Sequence, residues 1–167
     1  GDIAPGERIW SSRFIGDKGY LVTFRNIDPL WTIDLSDPTD PHIMGELEVP
    51  GVSTYIHPLG EDHLLTIGMA GGEDGLGLDW GNTQISLFNV SNFSNPTLAD
   101  AQQLSPVDET DENYWRWSWA SSEATYEHKA FTYWGPEEKL AVPLSTWRYT
   151  YDERVIDGRT YTYSGYE

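Results

Sequence analysis

Residues 33–50, IDLSDPTDPHIMGELEVP, return as residues 88–105, FNVSNFSNPTLADAQQLS, at a constant step of 55 and without a gap. Asp34 aligns with Asn89, Ser36 with Ser91, Asp37 with Asn92, Asp40 with Asn95 and Pro41 with Pro96. A repeat of this length marks stacked or radial architectures, in which one unit cannot bury its apolar faces alone and its neighbours complete the core. The constraint falls on the fold. It names no reaction.

Within each unit the pattern is β. In residues 8–51, the runs IWSSRFI, YLVTF, LWTIDL and HIMGELEV are bounded by Gly16-Asp17-Lys18-Gly19 and by Asp37-Pro38 and Asp40-Pro41, which are turn residues. Residues 53–105 repeat the four slots as 53–56, 63–68, 84–90 and 97–104. Aligning Leu21-Val22 with Leu64-Leu65 gives a step of 43 and places a 12-residue insertion within residues 70–82, AGGEDGLGLDWGN. A third, incomplete unit spans 121–167. Thr125-Tyr126-Glu127-His128 matches Thr54-Tyr55-Ile56-His57 at a step of 71, and residues 139–144 fill the second-strand slot. Residues 146–163 then read as an inserted hairpin. Trp147, Tyr149 and Tyr151 alternate on one arm and Tyr161 and Tyr163 on the other, with Asp157-Gly158 as a type I′ turn. Only residues 136–139 suit a helical turn.

The predicted fold class is therefore all-β: a β-propeller fragment of about two and a half four-stranded blades, where a closed ring takes roughly four to eight. The chain is expected to belong to a longer protein, or to complete its sheets through another copy. An open β-edge makes a homo-oligomer a candidate, since an unpaired strand can accept a second chain.

Composition removes several functions. A formal charge of −17, from 27 acids against 10 bases with lysine only at Lys18, Lys129 and Lys139, repels phosphate backbones and anionic membrane surfaces. No nucleic-acid partner is expected. The acids are spread along the chain, which favours a hydrated surface over a dedicated cation store. Absence of cysteine excludes disulfides, thiolate metal sites and a Cys nucleophile. No apolar run approaches the roughly 18 residues of a membrane span, and the first residues carry no signal-like stretch, so a targeting segment would lie outside these residues.

Several stretches together resemble a known family: APGERIWSSRFIGDKGYLVTFRNIDPLWTIDLSDPTDPHIMGELEVPG, STYIHPLGEDHLLTIG, ISLFNVSNFSNP and SSEATYEHKAF. They are similar to secreted bacterial and archaeal proteins with a C-terminal β-propeller distantly related to WD40 repeats, and IDLSDPTDP resembles LVIVD-type repeats. The resemblance implies a propeller and a secreted or cell-surface location. It brings no catalytic residues with it.

The candidate sites compete with structural readings. His57 and His128 align as repeat equivalents, which suits strand-end caps better than a catalytic pair, because a reaction seldom needs one group in every blade. Asp34, Asp37 and Asp40 with Asn89, Asn92 and Asn95 offer oxygens to a hard cation, yet Asp before Pro is ordinary turn chemistry. The glycine-rich insertion is the best candidate for a site-specific loop: Glu73, Asp74, Asp79 and Asn82 offer oxygens to a Ca²⁺ ion, a mobile acidic loop being the favoured alternative, with Trp80 at its tip as a contact residue. Trp115 and Trp117, flanked by Tyr114 and Trp119, and Trp147 with Tyr149 could stack on a carbohydrate or grip a protein partner. No GxSxG, HExxH or P-loop occurs. The reading is a binding or scaffolding module whose one candidate cofactor is Ca²⁺. Its rivals are a hydrolase or lyase working in a propeller channel, and an assembly module joined through open β-edges.

Overall fold

The computed structural model describes residues 3–24, 28–72, 77–104 and 118–166. The short alternating runs fold into strands joined by tight turns, which pair in chain order. β1 (Arg8–Ile15), β2 (Lys18–Phe24), β3 (Asp28–Asp34) and β4 (His42–Val49) make one antiparallel sheet with β1 at its edge. β5 (Val52–Leu59), β6 (His63–Gly71), β7 (Leu78–Asn89) and β8 (Thr97–Leu104) pair likewise, with β5 at the edge. β9 (Ser118–Ser121) joins β7 through one parallel bridge, Asn82 to Ala120. It pairs with β12 (Ser145–Ile156), which pairs with β13 (Arg159–Tyr166). β10 (Thr132–Trp134) and β11 (Lys139–Ala141) form a separate small hairpin.

The duplicated register is carried into three dimensions in detail. Asp34 Oδ1 accepts the Ser36 N–H at 2.8 Å, and Asn89 Oδ1 accepts the Ser91 N–H at 3.0 Å. The backbone N–H of Asp40 bonds the Asp37 carbonyl and that of Asn95 the Asn92 carbonyl, both at 3.0 Å. Even the irregularity recurs: the β3–β4 ladder slips between Thr32 and Ile33, and the β7–β8 ladder between Leu87 and Phe88.

Two details depart from the sequence reading. Lys18 pairs with Asp34 and His63 with Asn89, so the second strands correspond two residues away from the Leu21/Leu64 alignment. A two-residue slip preserves which face each side chain takes, so an apolar pair fits either register. The Thr125–His128 stretch is not a strand. It folds as 3₁₀ helices Glu123–Thr125 and His128–Ala130, and the first arm of the hairpin is supplied by β10. Ser122 and Glu127 cap these turns by accepting the N–H groups of Ala124 and Lys129, the local bonding that draws Ser and acidic residues out of strands. A third 3₁₀ turn, Gly135–Glu137, overlaps the expected helical turn.

Alternation along β5, β6 and β7 gives the second sheet two apolar faces. Ile56, Leu64 and Phe88, with Val52 and Val90, pack on Tyr20, Val22, Leu30 and Val49 of the first sheet. Ile67 on the other face packs on Ala124 and Phe131, with Tyr55, Leu65, Ile85, Tyr133 and Leu140 around them. Thr32, fully buried, donates its hydroxyl to the Phe93 carbonyl at 2.6 Å and thereby ties the two sheets at a polar point.

Candidate functional site

β1 and β5 lie side by side as edge strands, and their outward backbone groups need partners. Side chains of β1 supply them: Ser11 Oγ donates to the Ser53 carbonyl at 2.6 Å and Arg13 Nε to the Ile56 carbonyl at 2.8 Å. Between the strands is a cleft of about 320 Å³, lined by Trp10, Ser12 and Arg13 from β1, Thr54 and Tyr55 from β5, and His128. The Arg13 guanidinium lies 5.3 Å over the Tyr55 ring, and His128 stacks on that ring at 4.8 Å. Behind them Phe131 sits 5.0 Å from Tyr55 and 5.4 Å from His57, which also meets Tyr133 at 5.4 Å.

The two histidines predicted as repeat equivalents are not equivalent. His57 pairs with Leu65 in the hairpin register, as Arg13 does with Tyr20, so Arg13 is the counterpart of His57. His128 comes from a 3₁₀ turn instead. Both imidazoles nevertheless reach the Tyr55 cluster. Burial, and then the positive charge of Arg13, hold the His57 pKa below its ordinary value.

The second feature is a set of exposed tryptophans, one of which meets Trp10 of this cleft. The β6–β7 ladder continues into the insertion, with Ala70 paired to Asp79 and Gly71 to Leu78. Asp79 fixes the bulge that follows, accepting the Gly81 N–H at 2.9 Å and Asn82 Nδ2 at 2.6 Å. Trp80 projects there, 68% exposed, with its ring 6.1 Å from Trp10. Gly81 admits the Trp119 ring, which a Cβ there would displace. Trp119 pairs across the β9–β12 ladder with Trp147, and the two are 40% and 56% exposed. Trp10, Trp80, Trp119 and Trp147 thus come from four separate stretches.

Of the other predicted residues, Glu73, Asp74, Trp115 and Trp117 lie outside the described residues, as does the side chain of Tyr149, whose backbone pairs with Tyr166. Both carboxylate oxygens of Asp79 are engaged by the bulge, while Asn82 Oδ1 is buried with no partner among the described residues. Among the described residues no three His, Asp or Glu side chains are grouped to hold a metal. Sequence reasoning passed over Arg13, Tyr55 and Phe131. The available signal was Arg13 itself, a base within an alternating strand of a strongly acidic chain.

A family model described as beta propeller domain matches residues 1–166. The chain belongs to that family. The nearly all-β architecture of small antiparallel sheets is accordingly that of a partial β-propeller, with β1 and β5 as edge strands of successive sheets. The chain is 44% identical over 102 residues to an uncharacterized protein of Methanocaldococcus jannaschii, covering 61% of this chain and 15% of that protein. It is 38% identical over 125 residues to an uncharacterized protein of Archaeoglobus fulgidus, covering 75% of this chain and 17% of that protein. The chain therefore spans about a sixth of the curated relatives it matches. No solved structure matches it.

Proposed function

We propose that this propeller domain is an extracytoplasmic recognition module that holds its ligand on the exposed tryptophans and in the cleft that Trp10 lines. The observation that carries the reading is the Trp80–Trp119–Trp147 arrangement. Large rings stand exposed on a bulge held by Asp79 and on the paired strands β9 and β12. Exposed aromatics on a rigid frame contribute contact area at little cost in side-chain entropy. A β-propeller is a generic binding or scaffold frame, and its loops and extended hairpins are where specificity resides. The location outside the cytoplasm rests on the sequence resemblance to secreted propellers.

Binding of the purified chain to an array of immobilised glycans and envelope proteins tests the recognition reading. A Trp80→Ala/Trp147→Ala variant should lose at least about tenfold in affinity for whatever the parent binds, as hot-spot aromatics do. Retention of full affinity by the double variant defeats the assignment of the exposed tryptophans. Protease accessibility of the relatives on intact archaeal cells tests the location.

A further inference from the structure

The cleft between β1 and β5 holds a cation that has no counter-ion among the described residues. In a chain of 27 acids and 10 bases, Arg13 has no carboxylate partner among the described residues, and none lines the cleft. Its guanidinium is also held in place, with Nε bonded to the Ile56 carbonyl at 2.8 Å and its carbon 5.3 Å over the Tyr55 ring. Its two terminal nitrogens have no partner among the described residues. A planar fork of this kind matches a carboxylate in two parallel bonds. The surroundings add ring surface from Trp10, Tyr55 and His128 and hydroxyls from Ser12 and Thr54. A volume of about 320 Å³ suits one ring-sized ligand.

We propose that this cleft binds a carboxylated sugar ring of the hexuronate class, its carboxylate on Arg13 and its ring against the aromatic wall. The inference rests on the recognition reading and names its ligand. Trp10 lines the cleft and contacts Trp80, so an acidic polysaccharide seated at Arg13 would continue onto the Trp80 ring. The acidity of the whole chain does not oppose this. Its field decays over roughly 8 Å at physiological salt, whereas the Arg13 contact is direct.

The experiment is calorimetric titration of the chain with sodium glucuronate, glucose and N-acetylglutamate amide at an ionic strength of about 0.15 M. Glucuronate should bind saturably and at least tenfold more tightly than the other two, and Arg13→Gln should weaken it at least tenfold. Tyr55→Leu, which leaves the Arg13 bond to Ile56 in place, should weaken it several-fold. Arg13 also ties two strands, so near-ultraviolet circular dichroism checks each variant. Should Arg13→Gln not fold, Arg13→Lys keeps the charge without the fork and should still lose several-fold. Equal binding of glucose, or undiminished binding by a folded Arg13 variant, overturns the proposal. So does an unsaturable response, and tighter binding of the glutamate derivative assigns the cleft to acidic peptides instead. Failure here with the Trp80/Trp147 effect intact removes the ligand class alone. Loss of that effect with glucuronate binding intact removes the exposed tryptophans alone.

Discussion

At the residue scale, single side chains decide close approaches and charge states. A Cβ at Gly68 would overlap the Val52 carbonyl oxygen across the β5–β6 ladder, at the bulge between Ser53 and Tyr55. Backbone cannot yield as a side-chain tip can, so Gly68→Ala should cost at least about 2 kcal/mol in urea unfolding. A variant as stable as the parent would show that the strands are not held this closely. His57 answers to pH. Its folded pKa lies below the ordinary imidazole value of 6.5, first through burial among Tyr55, Phe131 and Tyr133 and then through Arg13. Between the two pKa values the unfolded chain binds more protons, so the stability conferred by neutral His57 is complete above about 6.5 and is lost as pH falls through the folded value. Thermal melts should show the midpoint dropping by a few degrees from about pH 7.5 to about pH 5.5, and His57→Phe should flatten that slope. An unchanged slope in the variant would place the titration elsewhere.

At the scale of elements, legibility followed how local the physics is. The duplicated turns were readable because Asp34 and Asn89 bond their own chain two residues on, and any chain with Asx-x-Ser there can do so. Asn89→Ala should therefore destabilise by about 1 kcal/mol, the net worth of such a bond, and Asp34→Ala by a similar amount in chemical denaturation. Unequal losses would mean that the two turns are not physical equivalents. Thr125–His128 misled because a four-residue likeness to β5 carries no information about capping, and Ser122 and Glu127 turned the segment into 3₁₀ helices. Of the Arg13 cleft, only the isolated base in an alternating strand was readable. Its members come from β1, β5 and a 3₁₀ turn, and only the packing of sheets brings them within reach. The β12–β13 ribbon was visible from its Asp157-Gly158 turn, with φ of 52° and 73°, yet beyond Arg148 it pairs with no third strand among the described residues. A two-stranded ribbon has little stability of its own. Replacing residues 152–163 with a short Asn-Gly turn should shift the melting midpoint by only a degree or two.

At the scale of the whole molecule, the second sheet is the member on which both neighbours depend. Its Phe88 face completes the core of the first sheet, and its Ile67 face completes the core under the β10–β11 hairpin. In architectures of this kind stability is close to a sum of unit and interface contributions, so damage to one interface should spread to the unit that uses it. Large-to-small changes in such cores cost roughly 2–5 kcal/mol, enough to be seen in hydrogen exchange at each amide. Amides of β6, which has Leu64 on one core and Ile67 on the other, should exchange most slowly, and those of β12–β13 beyond Arg148 fastest. Phe88→Ala should accelerate exchange chiefly in β2 and β3, because Tyr20, Val22 and Leu30 lose their partner. Ile67→Ala should act chiefly on β10, β11 and the turns around Ala124 and Phe131. Uniform acceleration by both variants would mean that the sheets unfold as one indivisible unit, and the account of separate interfaces would fail.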